Sequence, residues 1–182
     1  RIIGRNNIYR SEKFFQAVNA FLAVADKHSG NPNYQDDALE MASIALSLRA
    51  DDCFDRVKSA MKQGDKNTAR ASGQRGVSLL LEADRLLASH SLYRLDRWID
   101  LARAHGNTSR QKDTYEANAK QIITVWGPPV NDYSCRMWSG LIRDFYAPRM
   151  QKLIGSKVEG AGFDCKAWEA AWIKKPGYSK IK

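Results

Sequence analysis

Residues 77–88 read Val-Ser-Leu-Leu-Leu-Glu-Ala-Asp-Arg-Leu-Leu-Ala, and this stretch decides the fold class. Its apolar residues recur at steps of three and four along one helical face, at Val77, Leu80, Leu81 and Leu87. Just upstream, Gly73 and Gly76 leave room for a neighbouring helix to approach closely. The stretch therefore predicts a long amphipathic helix that is capped by Asp65 and reaches about Ser89.

Helical periodicity extends outward from this stretch over almost the whole chain. It predicts further helices over about residues 14–27, 34–63, 91–106, 107–125 and 131–148, and a last short helix after Asp164. The helix after residue 131 is predicted to be capped by Asn131 or Asp132, to run through Met137 and Trp138, and to be kinked or split at Pro148. Since no alternating strand pattern of useful length is present, the fold class is all-α. We expect a single domain over residues 1–182, an antiparallel bundle of about six or seven helices with short loops.

The chain is 182 residues long with a formal net charge of +9, and the charge is uneven. Residues 91–182 carry 16 Lys and Arg against 9 Asp and Glu, whereas the first 90 residues are nearly balanced. A basic half favours attraction to polyanions, which leaves open a non-enzymatic helical module that binds polyanions or a protein partner. The spacing of Trp168 and Trp172 argues against nucleic-acid binding. They stand four residues apart, which is typical of a core stripe rather than of an exposed platform on which bases stack. No apolar run approaches the roughly 20 residues of a membrane-spanning helix.

Histidine and cysteine do not predict a metal or cofactor site. The three histidines, His28, His90 and His105, each lie near a predicted helix C-terminus, where the helix dipole favours them. The three cysteines, Cys53, Cys135 and Cys165, have no zinc-ligand spacing; a single 135–165 disulfide and three half-buried thiols are both compatible with it. We therefore predict no metal and no cofactor.

The acidic clusters are interpreted as structural. Asp36, Asp37 and Glu40 are expected in the first turn of a helix, where the dipole stabilises acids. Asp51, Asp52 and Asp55 are expected on a solvated face near basic residues. No nucleophile or phosphate-binding motif accompanies them, so no residue of this chain is assigned to catalysis.

In the segment from Trp126 to Tyr133, the two aromatic residues are expected at a helix end and at a helix start, where they are less easily assigned to a core. Trp126 falls at a helix end, directly before the rigid Gly127-Pro128-Pro129 turn, and Asn131 and Tyr133 follow. An aromatic face can stack on a sugar ring while a hydroxyl or amide bonds its hydroxyl groups. Packing of both aromatics in the core remains the alternative.

Several pieces of sequence, in order, then resemble a known family. They are residues 79–88 (LLLEADRLLA), 95–103 (LDRWIDLAR), 115–119 (YEANA), 123–128 (ITVWGP), 132–134 (DYS), 138–141 (WSGL) and 145–150 (FYAPRM). Their order and spacing are similar to those of the C-terminal all-α domain of α-N-acetylglucosaminidases, glycoside hydrolase family 89. The strongest likeness covers residues 79–150.

The resemblance implies a context larger than this chain. Family members remove terminal α-linked N-acetylglucosamine from glycans with retention of configuration, and their two catalytic glutamates lie on a (β/α)₈ barrel that this chain is too short to contain. The helical domain would pack on that barrel, in the same polypeptide, and form one wall of the substrate pocket. The family's pocket tryptophan maps onto Trp126 and its pocket tyrosine onto Tyr133; Asn131 is a further candidate.

The resemblance also predicts behaviour and location. The chain alone should be inactive, because the catalytic carboxylates would lie on the barrel. Its start at Arg1 rather than at Met is expected of a piece of a longer protein. The family's habit implies export, to the periplasm or medium in a bacterium, or lysosomal delivery in an animal.

Overall fold

The computed structural model describes residues 12–126 and 136–178, and these two stretches contain eight α-helices. The helices are α1 Glu12–Leu22, α2 Ala25–His28, α3 Pro32–Lys62, α4 Lys66–Leu87, α5 Leu95–Ala104, α6 Ser109–Ile123, α7 Ala147–Glu159 and α8 Cys165–Lys174. A 3₁₀ turn at Ser91–Tyr93 precedes α5, and a π-helical turn at Ile142–Tyr146 precedes α7. The described residues contain no β-strand, which confirms the predicted all-α fold.

The two longest helices, α3 and α4, form a hairpin at the centre of the molecule. Asn31 Oδ1 accepts the backbone N–H of Asn33 at 3.0 Å and begins α3, with Pro32 at its first position. Asp65 Oδ1 accepts the backbone N–H of Thr68 at 2.9 Å, so Asp65 is the predicted cap of α4. The short turn between the two helices makes them antiparallel neighbours.

Close packing around α4 depends on its two glycines. A Cβ atom at Gly76 would lie 2.5 Å from Cε1 of Phe54 on α3, and one at Gly73 would lie 2.8 Å from Cγ2 of Ile154 on α7. Both distances are below van der Waals contact, so α4 approaches its neighbours on two sides only because these side chains are absent. The close approach predicted for these glycines is confirmed.

Phe145, in the π-helical turn, is the aromatic centre of the C-terminal part. It is fully buried, and its ring centroid lies 5.5 Å from that of Trp168 and 4.7 Å from that of Trp172. On another side the Arg149 guanidinium lies 4.7 Å from the Phe145 centroid and pairs with Glu169 at 2.6 Å. Trp168 and Trp172 are therefore partly buried and packed against the core, in agreement with the predicted stripe, and they join α8 to the π-helical turn.

The prediction that one helix runs through Met137 and Trp138 is wrong. Residues 136–138 are not helical, and Ser139 forms an isolated parallel bridge with Arg94. The cause is Asp84, whose carboxylate accepts the backbone N–H groups of Gly140 at 2.7 Å and Arg143 at 3.1 Å and so fixes the helix start beyond Gly140. Gly140 has φ +86°, a conformation that glycine adopts without strain.

Other boundary expectations need smaller corrections. The helix predicted over residues 14–27 is interrupted between Leu22 and Ala25. Ser91 does not cap α5 but begins the 3₁₀ turn, and α5 begins at Leu95. Near Pro148 the helical path does change, from the π turn to α7.

Two expectations about the acidic clusters are also wrong. Because α3 begins at Pro32, Asp36 and Asp37 lie beyond its first turn. Asp51 is 2% exposed and therefore does not lie on a solvated face.

None of the helices in the described part of the chain is long and apolar enough to cross a membrane.

Candidate functional site

Trp126 is an exposed indole at the end of α6. It lies three residues beyond the helix and is 49% exposed. Its φ is +31°, and among the described residues it is the one non-glycine residue with a positive φ. Its backbone N–H donates to the Gln121 carbonyl at 2.7 Å, and its own carbonyl accepts from Gln121 Nε2 at 3.0 Å. The backbone is thus held in an uncommon conformation, while about half of the residue's surface stays exposed.

The chain returns at Arg136, on a segment that is also firmly attached. The Ser139 N–H donates to the Tyr93 carbonyl at 2.7 Å, and the Leu95 N–H donates to the Ser139 carbonyl at 2.9 Å. The Ser139 hydroxyl lies 3.2 Å from Asp84 Oδ2. Residues 127–135 therefore begin and end at anchored points of the bundle.

Two of the three predicted site residues fall between those points. Asn131 and Tyr133 lie outside the described residues, as does Asp132. Cys135 does as well, so the structure does not test a 135–165 disulfide. Cys53 is half buried, and burial raises the pKa of its thiol.

A stripe of exposed apolar residues runs along α6 up to Trp126. Tyr115 is 42% exposed and Ile122 is 44% exposed, and with Trp126 they are spaced seven and then four residues apart. The seven-residue spacing places Tyr115 and Ile122 on one face of α6, and Trp126 follows beyond the end of the helix. Sequence reasoning missed Tyr115 and Ile122 because their spacing is also typical of a core-facing stripe, which only the packing of α6 can distinguish.

The opposite face of α6 is fixed by buried charges. Lys120 is 1% exposed, and its Nζ lies 2.6 Å from Glu116 Oε1 and donates to the carbonyls of Lys175 at 2.8 Å and Gly177 at 3.0 Å. Glu116 Oε2 also accepts from Arg103 of α5 at 2.5 Å. A buried ion network with this many partners leaves the helix few alternative positions.

Several other titratable groups form contacts within the fold. The buried carboxylates Asp84 and Glu116 accept hydrogen bonds or pair with cations, as described above, which is unlike a reactive acid poised in a cleft. His90, near the end of α4, accepts the Leu92 N–H at Nδ1 and lies 3.2 Å from Asp36 through Nε2. Within the described stretches, no group of three or more His, Cys, Asp or Glu is placed to hold a metal ion.

Much of the basic charge in the second half is neutralised internally. Four arginines there form ion pairs with acidic residues within 3.0 Å: Arg94 with Asp96, Arg103 with Glu116, Arg143 with Asp144 and Arg149 with Glu169. These four guanidinium groups are therefore less available to a polyanion, whereas the net charge of this half already includes their acidic partners.

Two clefts are formed by described residues of the bundle. One groove of about 400 Å³ runs between α4 and α7, lined by Val77 and Ile154 among others. A second cleft of about 410 Å³ lies beside Trp172 and Tyr178. Trp126 lines neither of these two clefts, and it is half exposed.

Comparison with known proteins gives one consistent result. The family model described as the α-N-acetylglucosaminidase (NAGLU) C-terminal domain matches residues 2–176. Alpha-N-acetylglucosaminidase of Homo sapiens is 28% identical over 162 residues, which are 85% of this chain and 22% of the human protein.

Solved structures agree at the level of the fold. The family 89 glycoside hydrolase from Clostridium perfringens in complex with PUGNAc superposes with a TM-score of 0.79 at 24% identity, covering 88% of this chain and 20% of that one. A variant from the same organism, in complex with its substrate GlcNAc-α-1,4-galactose, superposes with a TM-score of 0.79 at 23% identity and the same coverage. The chain thus spans about a fifth of the length of these relatives.

Proposed function

Because this chain belongs to the family of α-N-acetylglucosaminidase C-terminal domains, we propose that it forms one wall of the pocket in which a glycoside hydrolase binds terminal α-linked N-acetylglucosamine. The rest of that enzyme, with a catalytic (β/α)₈ barrel, is the proposed partner and belongs to the same polypeptide. The observation that carries the proposal is Trp126, an exposed indole on a fixed backbone at the edge of the bundle.

The chemistry of Trp126 suits a sugar. The C–H groups on one face of a pyranose ring form an apolar patch that packs on an indole, and two aromatic χ angles lose little entropy on binding. Polar groups are then needed to fix the orientation of the hydroxyl and N-acetyl groups. In this proposal Tyr133 and Asn131, which follow Trp126 in sequence, supply them.

Docking on the barrel is proposed for the exposed face of α6. Tyr115 and Ile122 continue the apolar surface of Trp126 along that helix, and exposed apolar residues on one face are typical of a contact surface. The same surface would then pack on the barrel at one end and bound the sugar pocket at the other. An open position for Trp126 is what a wall completed by another domain requires.

The domain would act by positioning rather than by proton transfer. Retention of configuration needs two carboxyl groups about 5–5.5 Å apart, one a nucleophile and the other an acid and base. The buried carboxylates Asp84 and Glu116 are occupied by hydrogen bonds and cations, so we assign both catalytic groups to the barrel. Holding the sugar ring against Trp126 would align the anomeric carbon with them. Such an enzyme would be exported, to the periplasm or medium in a bacterium, or lysosomal in an animal.

The test uses hydrolysis of an aryl α-N-acetylglucosaminide. The chain alone should show no turnover, whereas the full-length enzyme that carries it should be active. In that enzyme, Trp126→Ala should lower kcat/KM by about 100-fold, the scale of a misplaced substrate. Leu92→Ala removes an apolar side chain that is 55% exposed and belongs to the 3₁₀ turn before α5, and it serves as the matched control. Turnover by the chain alone, or equal kinetics for the two variants, would contradict the proposal.

A further inference from the structure

The backbone conformation of Trp126 is one that tryptophan rarely adopts. A tryptophan with φ near +31° is disfavoured because its Cβ approaches the neighbouring carbonyl. Such a conformation persists only when surrounding contacts hold it in place. Two hydrogen bonds with Gln121 are contacts of this kind. The backbone carbonyl of Gln121 accepts the N–H of Trp126, and the side-chain Nε2 of Gln121 donates to the Trp126 carbonyl.

Gln121 itself lies on a firmly held part of α6. The preceding residue, Lys120, is anchored by the buried ion pair with Glu116 and by the carbonyls of Lys175 and Gly177. Three residues after Gln121, the buried Thr124 donates its hydroxyl to the Lys120 carbonyl at 2.6 Å. The backbone on either side of Gln121 is therefore fixed, and its side chain reaches forward from a rigid base.

We propose that Gln121 is a positioning residue, whose carboxamide holds the Trp126 backbone so that the indole is presented in one direction before any sugar binds. The inference rests on the proposed function for its consequence, although the hydrogen bonds themselves do not depend on it. A wall that is already ordered loses less conformational entropy on binding, which favours affinity. Gln121 would thus influence sugar binding without touching the sugar.

The choice of side chain can be tested chemically. The bond to the Trp126 carbonyl requires a donor, which the amide group of glutamine provides. A glutamate in its place has the same shape but, when ionised, only accepts hydrogen bonds, so it would face the carbonyl oxygen with a negative charge. Once protonated, below a pKa near about 4.3, the same glutamate regains a donor.

The first experiment measures the motion of Trp126 in the chain of residues 1–182 by ¹⁵N relaxation with tryptophan labelling. The five tryptophans give five backbone amide signals, and Trp126→Phe identifies that of Trp126. We expect an order parameter of about 0.85 in the unaltered chain and a lower one in Gln121→Ala, which keeps only the backbone bond of the Trp126 N–H, with the other four signals unchanged. Gln151→Ala replaces an exposed glutamine within α7 and should leave all five unchanged.

The pH dependence of Gln121→Glu separates a specific hydrogen bond from general loosening. At pH 7 the Trp126 amide should be as mobile as in Gln121→Ala, and near pH 3.5 its order parameter should recover towards that of the unaltered chain at the same pH. An order parameter that stays near about 0.85 in Gln121→Ala, or no recovery in Gln121→Glu at low pH, would overturn the proposal.

A second experiment in the full-length enzyme distinguishes this inference from the proposed function. If both hold, Gln121→Ala should raise KM for the aryl α-N-acetylglucosaminide several-fold, while Trp126→Ala has the larger effect. If Trp126→Ala impairs hydrolysis but Gln121→Ala does not, the positioning role fails and the pocket wall stands. If Gln121→Ala mobilises Trp126 while neither variant affects hydrolysis, the hydrogen bonds stand and the pocket wall fails.

Discussion

Trp126 and Trp172 place the same side chain in opposite surroundings. Trp172 lies inside α8, with its ring centroid 4.7 Å from that of Phe145 and 5.0 Å from Lys120 Nζ. Trp126 lies beyond the end of α6, half exposed, with its backbone held by Gln121. The ring of Trp172 packs against its neighbours, whereas at Trp126 two hydrogen bonds hold the main chain and the residue stays half exposed.

If Trp126 binds the sugar as proposed, the two tryptophans should respond differently to substitution. A core aromatic is stabilised through its side chain, so its removal should mainly destabilise the fold. An aromatic kept for binding is stabilised through its main chain, so its removal should mainly affect binding. Substitutions in the two regions can therefore break this comparison or make it quantitative.

The largest effect on stability is expected in the aromatic cluster of Phe145, Trp168 and Trp172. Phe145→Ala removes a fully buried ring that contacts both Trp168 and Trp172 and leaves a cavity between α7 and α8. The free energy of unfolding, measured with urea, should fall by about 3–5 kcal/mol. The control Leu92→Ala should change it by less than about 0.5 kcal/mol. A loss below about 1 kcal/mol in Phe145→Ala would mean that the aromatic cluster is not a core.

A somewhat smaller effect is expected at Lys120, where the two regions meet. Its Nζ lies over the Trp172 ring, and its backbone carbonyl accepts the Thr124 hydroxyl at the end of α6. Lys120→Met keeps most of the volume but leaves Glu116 buried with Arg103 alone and removes the donor to two carbonyls. We expect a loss of about 3 kcal/mol in the free energy of unfolding.

Lys157→Met, an exposed position on α7, is the matched control for this charge removal and should be nearly neutral. If the two variants are equally stable, the Lys120 network does not hold the end of α6, and the rigid base inferred for Gln121 is lost.

The sequence predicted the helical hairpin well but not the start of the helix near residue 140. The bounds of α3 and α4 depend on periodicity and on the Asp65 cap. Both are set by residues close in sequence, so the sequence is enough to predict them. The helix start beyond Gly140 depends instead on Asp84, which is 56 residues away and accepts the Gly140 N–H. Hydrophobic periodicity reports only on neighbouring residues and cannot reveal a contact between residues so far apart. It therefore predicts a helix that already includes Met137 and Trp138.

The candidate site divides in the same way. Trp126 was identified from its place beside the Gly-Pro-Pro turn, and the structure leaves its ring exposed. Tyr133 and Asn131 remain predictions, since they lie outside the described residues. Gln121 could not be singled out from sequence, because a glutamine in the last turn of a helix is ordinary there, and only the folded geometry brings its amide to the Trp126 carbonyl.

A small effect on stability is expected at Trp126 itself. In the isolated chain, Trp126→Ala loses little packing because the ring is half exposed, and the free energy of unfolding should change by less than about 1 kcal/mol. Trp126→Gly also removes the ring but tolerates a positive φ, so it should be more stable than Trp126→Ala by about 1 kcal/mol. A large loss in both variants would place the ring of Trp126 in the core and erase its contrast with Trp172.

The smallest effect, visible only at high pH, is expected at Tyr178, which follows α8 and lies at the cleft beside Trp172. Its hydroxyl donates to Asp100 Oδ1 of α5, and burial together with this hydrogen bond to a carboxylate raises the pKa of Tyr178 above its ordinary value near 10. Between the two pKa values the folded chain retains a proton that the unfolded chain has released, so the free energy of unfolding falls as pH rises above about 10.

The stability difference between the unaltered chain and Tyr178→Phe isolates this group, because the other tyrosines are common to both chains. It should be constant from about pH 7 to 9 and shrink above about pH 10, and it should shrink less in an Asp100→Asn background, where the carboxylate is absent. A difference that stays constant through about pH 12, or one that grows, would mean that Tyr178 does not hold its proton against Asp100. The segment after α8 would then be fixed to the bundle by Lys120 alone, and the packed region would end at Trp172 instead of reaching α5.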